Sequence, residues 1–534
     1  MNLVTPWTPS IILGFSAALI VFLRRRLGQT WLLGLVWLGL GAAGTALILL
    51  RLSPDTAPAG FPWPSALGAA PQWAADSELF PHALILLFLA AGSALAWRGA
   101  PGRLAAPLLL AACTFLFLFT ENLPALTLSW LALEALLLLF KRRTKVDAKG
   151  RGLAELDGFW GILALTGLAF AWAETQGASL RAYGAGQWSE RARWMLTFAA
   201  FIRVGAYPLV SRGTVLRQPQ RGELDAFAVF PVVAGLALAE RAALLGPNPF
   251  PALMIWLGTI SALVCGFASW SSQLFADRMQ WALRAALGLV VMLWGAGALP
   301  PLLLFPSAAA AIGLGFGLYA LRPPIPPAAG IARQALRFIL RFGPAAVLGF
   351  LAPLAYGMLA LWQRLLGQSL YIPILLGMVG QALLIASLLR PVTNGDTAHV
   401  HRHRGWAAAG IWILAAAALA FWPGTVLWLA GYKWSEVASG FKVPPAPGIW
   451  AAMLLPVLGG IVLPPASALD EPWDAWASRV RGFLALDWAR DGVAALAGAA
   501  GWMLRMADHL LNEAGYLPWA IAFLIGLAVF LTAA

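Results

Sequence analysis

Apolar runs of roughly 17 to 25 residues, each able to cross about 30 Å of hydrocarbon, follow one another from Pro9 to Thr532. About sixteen such runs are present. In lipid every backbone N–H and C=O must be satisfied within the protein, which leaves the helix as the element for runs of this length. The composition agrees: 60% of residues are hydrophobic, 11% are charged and mean hydropathy is +0.77, whereas soluble domains carry about 25% charged residues. The expected fold class is an all-α polytopic integral membrane protein with about 16 transmembrane helices. The first run, Ile11 to Phe22, is followed by Arg24, Arg25 and Arg26. A cleavable signal peptide would carry its charge before the apolar run, so this is read as a retained span.

The formal net charge of +13 would suggest nucleic acid on a soluble chain. Here Arg and Lys sit mostly in alternate short loops, as the positive-inside rule requires. Arg24 to Arg26, Arg98 with Arg103, and Lys141 to Arg151 mark cytoplasmic loops, whereas 55–78 and 246–250 fall outside the cell. Both termini are then extracytoplasmic and the chain belongs in the cell (inner) membrane. The partner implied is the lipid bilayer, with no nucleic acid. Cys113 and Cys265 lie in apolar runs and read as packing residues. His399, His401 and His403 alternate in a polar loop, and with no cysteine nearby they read as a solvated basic loop. No metal site and no cofactor are assigned.

One carboxylate stands well inside the fifth run, Thr120 to Phe140: Glu134. A charge at bilayer depth costs at least ~2.5 kcal/mol, so it faces a polar interior and a partner. The best partner is Arg203 in the seventh run, Trp194 to Arg212, which continues into Gly205 and Pro208. Glycine weakens a helix and proline removes a backbone donor, so a break is expected across Gly205 to Pro208. Broken helices at membrane depth mark ion and substrate sites. The plainer reading is a proline kink whose arginine meets a nearby carboxylate with no transport role. Further on, Arg341, Phe342, Gly343 and Pro344 echo Arg203, Val204, Gly205 and Pro208, which points to an internal repeat and a second break at Gly343 and Pro344. From Leu486 to Asn512, within the segment Asp470 to Glu513, the charges and small residues fall on one helical face, with Trp488, Met503, Met506 and Leu510 opposite. That is the pattern of an amphipathic helix lying along a membrane surface, roughly 60 Å long if continuous.

An acid in a fifth span, a broken seventh span with a central cation before Gly and Pro, and Gln273 then Asp277 before a tenth span together resemble the antiporter-like membrane subunits of respiratory complex I. That family includes the Mrp cation antiporters and the membrane-bound group 4 hydrogenases. By motif the resemblance covers residues 104–300; beyond them it rests on span order, which is most like the distal long subunit with its lateral helix. It implies two inverted five-helix repeats containing broken helices, and a C-terminal amphipathic lateral helix. The divisions are N-terminal helices (1–100), a first repeat (101–245), a second repeat (246–390), further spans (391–465), the lateral helix (466–515) and a terminal anchor (516–534). It further implies a hetero-oligomer with other antiporter-like and membrane-arm subunits. Within that assembly the chain is a non-catalytic subunit of an oxidoreductase complex of the NADH:quinone type, moving protons or Na⁺ while partners carry out the redox chemistry. Glu134 and Arg203 would be the central ion-pathway pair, with Arg341 the candidate in the second half.

Departures from the family pattern bear on activity. Members carry lysine where this chain has Arg203, Val233 falls where many have an eighth-span lysine, and all five lysines, Lys141, Lys145, Lys149, Lys433 and Lys442, are expected in loops. The family's Asp-x-Lys-Arg run reads Asp277, Arg278, Met279, Gln280, and its serine pair is Ala285 and Ala286. Lysine can be driven neutral by burial and pass a proton, whereas arginine effectively cannot. The pathway is therefore expected to be thinned and partly or wholly inactive. Two alternatives stand beside this reading: a structural subunit that braces the membrane arm, and an unrelated polytopic enzyme handling lipid or glycan.

Overall fold

The computed structural model describes residues 4–53, 58–61, 63, 69–96, 105–143, 148–175, 178–208, 226–273, 275–320, 338–339, 341–349, 351, 354–390, 417, 447–463 and scattered positions between 475 and 506. The chain is a multi-pass helical membrane protein. Helices α1 (Thr8–Leu23), α2 (Gln29–Leu52), α3 (Phe80–Ala96), α4 (Ala105–Leu118), α5 (Leu123–Arg143), α6 (Ala148–Thr175), α7 (Glu190–Val204) and α8 (Ala226–Leu244) form the first part. After them come α9 (Pro251–Ser271), α10 (Phe275–Ala296), α11 (Pro301–Ala320), α12 (Ala355–Gly367), α13 (Tyr371–Leu389) and α14 (Pro447–Val462). Among the described residues, five helices are long and apolar enough to cross a membrane. The 399–403 histidine loop and most of the expected lateral helix lie outside the described residues.

Burial sorts the helices. Segments Asp277–Ala296 of α10 and Pro301–Leu318 of α11 are almost wholly enclosed by other helices, whereas α2, α9 and α13 bury about half of their surface. The outward faces carry Ile11, Phe15, Phe22, Trp31, Leu38, Ile372 and Leu375. So much exposed apolar surface suits lipid, not water. Helix starts follow local chemistry: Ser189 caps α7 by accepting from the Ala192 N–H at 3.1 Å, and Pro251 and Pro301 open α9 and α11, where the missing N–H is harmless. The basic segment expected as a loop at 141–151 is helical at both ends, since α5 runs to Arg143 and α6 begins at Ala148. Its Lys, Arg, Ala and Leu residues favour helix, so the helices outlast their apolar stretches and Lys141 and Lys149 belong to helices.

One end of the first part is closed by backbone pairing among three loops. Ala59–Gly60 and Gln72–Trp73 form a short antiparallel ribbon. Trp73 bridges to Thr120, and Asn122 to Ser179. The Ala74 N–H donates to Phe119 (2.9 Å), Glu121 to Gln72 (2.8 Å) and Leu180 to Glu121 (2.8 Å). Asn122 completes the seam, accepting from the Gln72 N–H at 3.2 Å and donating to the Ala70 carbonyl at 2.8 Å. The loops before α3, between α4 and α5 and after α6 thus act as one lid.

The second part is held by close backbone approach. A Cβ on Gly380 of α13 would stand 2.6 Å from the Ala262 carbonyl carbon of α9, and one on Gly288 of α10 would stand 2.5 Å from the Ala262 nitrogen. Such contacts replace the hydrophobic drive that lipid does not supply. Gly380→Leu should therefore lower stability by about 1–3 kcal/mol or more through overpacking, whereas Gly14→Leu, where a Cβ meets nothing within 4 Å, should leave it unchanged. Thermal unfolding of the two variants in detergent, followed side by side, checks this.

Candidate functional site

Glu134 and Arg203 meet in an ion pair between α5 and α7. Arg203 lies in the last turn of α7, where a cation suits the negative end of the helix dipole. The helix stops one residue later, because Gly205 takes the left-handed conformation (φ 75°) that favours glycine. Pro208 follows in a turn, and the Tyr207 N–H is tied to Ser261 of α9 at 3.1 Å. Trp130, one turn before Glu134 on α5, lays its ring 4.8 Å from the guanidinium carbon of Arg203; aromatic faces attract cations at that range. The position of Arg203 depends on Gly235 of α8, where a Cβ would come within 2.6 Å of the Arg203 carbonyl carbon.

The pair is not symmetric in burial. The Arg203 side chain is 7% exposed and that of Glu134 27%. Nε and Nη2 of Arg203 make no hydrogen bond among the described residues. The guanidinium is therefore a fixed interior charge with spare donors, and the carboxylate is the member that can be reached from outside.

A second polar group lies under the lid, and neither residue spacing nor periodicity announces it. Arg241 of α8 donates to the Thr120 carbonyl, to Thr120 Oγ1 (2.7 Å) and to the Leu118 carbonyl (2.7 Å), with Asp76 at 4.0 Å. Glu121 pairs with Arg181 at 2.8 Å and accepts from Ser179 Oγ at 2.6 Å, while Arg181 also donates to the Ala75 carbonyl at 2.8 Å. Burial, with Asp76 beside it, raises the Glu78 carboxyl above its ordinary range. Beneath these, His82 of α3 and Glu240 of α8 face each other at 3.4 Å, both 0% exposed. In the sequence His82 sits in an apolar run and Glu240–Arg241 close a span, so their only signal is charge inside a helix near its end.

In the second part the expected Arg341 is not interior. It is exposed and stands over the ring of Phe342 at 5.4 Å, beside exposed Phe338. Gly343 and Pro344 are still helical; the chain widens into a π turn at Ala345–Gly349 and the irregularity falls just beyond, with Leu351 at φ 51°. Proline cannot supply the N–H that an α turn needs, and the π turn absorbs the mismatch downstream of it. Among the described residues the buried cations here are Arg278 and Arg284 of α10 and Arg390 after α13. Arg278 and Arg390 both donate to the Ser272 carbonyl, at 3.4 and 3.2 Å, and Arg284 lies 5.0 Å from the Trp281 ring. Ala285, Ala286 and Val233 are buried packing residues. Among the described residues no group of three acids, histidines or cysteines could hold a metal.

Neutralising one member of the α5–α7 pair leaves the other uncompensated, so Glu134→Gln and Arg203→Gln should each cost about 1–3 kcal/mol, less than a fully buried pair because Glu134 is partly exposed. The double variant should lose less than the sum, with a coupling of about 1 kcal/mol or more. A double-mutant cycle on the melting of the purified subunit measures it; additive losses would mean that the two residues do not stabilise each other.

No family model matches the sequence, and no curated protein matches it. Solved structures do. A chain of the Mrp complex from Dietzia sp. DQ12-45-1b superposes with a TM-score of 0.70 at 16% identity, over 98% of this chain and 63% of that one. A chain of the membrane-bound sulfane sulfur reductase, an archaeal respiratory membrane complex, superposes with a TM-score of 0.68 at 15% identity, over 100% of both chains. A chain of respiratory complex I from Thermus thermophilus is similar at 19% identity over 85% of this chain and 96% of that one, with a TM-score of 0.44. The present chain spans less than two thirds of the Mrp-complex chain it matches. At these identities the likeness is one of architecture: the chain shares the fold of these two membrane-complex chains.

Proposed function

We propose that this chain is a membrane-arm subunit of a complex I-like or Mrp-like assembly, placed on a route for protons or Na⁺ whose driving redox chemistry belongs to partner subunits. The observation that carries the reading is the Glu134–Arg203 ion pair at the C-terminal end of a helix that stops at a left-handed glycine. A charge pair at membrane depth beside a broken helix is the arrangement expected of an ion site. In this reading residues 101–245 and 246–390 are two inverted repeats, the membrane is the cell (inner) membrane, both termini are extracytoplasmic, and residues 466–515 lie along the cytoplasmic surface. Trp476, near the start of that segment, meets Phe267 of α9 edge to face at 5.7 Å.

The same pair sets a limit on activity. A guanidinium holds its proton at every physiological pH, so Arg203 keeps its charge and does not relay. The pathway is gated at this point, and the subunit conducts poorly on its own. A second reading, a bracing subunit with no ion path, is favoured by that same fixed charge. Arg203→Lys separates the two, because it keeps the cation while adding a neutral form the site can visit. Proton flux into vesicles holding the reconstituted subunit, measured with a pH-sensitive dye, should rise about tenfold or more in Arg203→Lys, as expected when a positioned proton carrier is added. Equal and high flux in both proteins would show that arginine is no block; none in either would favour the brace.

A further inference from the structure

We propose that His82 and Glu240 form a proton-holding site under the lid of the first helix group, separate from the α5–α7 pair. Charge balance points to it. The lid cluster brings together the acids Asp76, Glu121 and Glu240, each less than a tenth exposed, with Arg241 buried and Arg181 at the cluster's edge. Three carboxylates against two guanidinium groups leave one negative charge over. Glu78 stands half-buried at the rim and adds to the acidic side of the balance. Removing an uncompensated carboxylate from water costs several kcal/mol, and such groups take up a proton instead.

Geometry says where the proton resides. Arg241 is spent on Thr120 and the Leu118 carbonyl, and Glu121 on Arg181 and Ser179. Glu240 has no hydrogen bond to either oxygen among the described residues, and neither ring nitrogen of His82 has one. What each has is the other, with His82 Nδ1 3.4 Å from Glu240 Oε2. One proton makes this contact favourable in either placement: on the carboxyl with neutral imidazole, or on the imidazole with carboxylate. No oxidant or second reactant is involved.

Of the elements packed on α3 and α8, α4 and α11 contain no Asp, Glu, His, Lys or Arg. Arg241 comes from α8 itself, Asp76 and Glu78 from the loop before α3, Glu121 from the loop between α4 and α5 and Arg181 from beyond α6; Arg193 of α7 lies further out, against Gly246. Arg51 ends α2. Glu240 is five residues past Gly235, against which the backbone of Arg203 packs, a separation of roughly 7 Å along α8. A proton stored here sits between the broken helix and the end of the bundle that the lid covers. As a store on an ion route the site rests on the function proposed above; as a proton-binding pair it does not.

The test is infrared difference titration of the full-length chain in lipid nanodiscs, with Glu240→Gln, His82→Gln and the double variant, alongside a potentiometric count of protons bound. Both substitutions preserve shape, and Glu240→Gln mimics the protonated acid, so it should insert and melt close to wild type. Wild type should show a carboxylic-acid or imidazolium band that persists above the range where a free carboxylate ionises, and should bind one more proton than the double variant. Each single variant should shift or abolish the band. Identical spectra and equal proton counts in wild type and double variant would overturn the proposal, as would a severe loss of stability in Glu240→Gln with no effect of His82→Gln, which would mean that Glu240 is ionised and serves Arg241. Neither readout involves transport, so a failure here is distinct from a failure of the flux measurement.

Discussion

Charge inside hydrocarbon is tolerated only when it is answered, and the first helix group is arranged around that constraint. Glu134 fixes which face of α5 turns inward, and Arg203 fixes where α7 can end. For the two to meet, α7 must approach α8 until backbone touches Gly235, and Trp130 must cover the guanidinium. Breaking any of these contacts exposes a charge to lipid or leaves one unpaired. The end of α7 at Gly205 suits the same need: a cation in the last turn is favoured by the free carbonyls there.

The lid solves a similar problem by different means. Its loops are paired backbone to backbone, so few of their polar groups need water, and they cover a cluster in which acids outnumber arginines. The arginines are used on carbonyls and hydroxyls at the helix ends, which fixes them in place but leaves the acid–imidazole contact of α3 and α8 to balance itself. In the function and site proposed above, the ion pair is held by a charge that cannot be lost and the other contact by a proton that can.

The second helix group has buried arginines in place of acids. Arg278 and Arg390 converge on one carbonyl, and the backbones of α9, α10 and α13 approach closely at glycines. Arg341, which repeats the sequence pattern around Arg203, stands on the outside. Similar residues in similar order do not produce a similar site when the helix that carries them is turned.

Sequence by itself determined that this is a helical membrane protein, because apolar runs of bilayer length leave no other backbone solution. It also pointed to a cation partner for Glu134 and to an irregularity after Arg203, since a lone acid in an apolar run and a Gly–Pro sequence are local signals; the structure pairs Glu134 with Arg203 and ends α7 at Val204. Tertiary structure alone decided the rest. His82, Glu240 and Arg241 come from helices far apart in the chain, and nothing in their spacing indicates that loops before α3 and after α6 will close over them. The second break moved beyond Gly343 and Pro344 because a π turn took up the missing hydrogen bond, a choice made by packing against α11 and α13. Which side of a helix faces the interior is set by its neighbours, and in a chain apolar on every face the sequence carries little record of them.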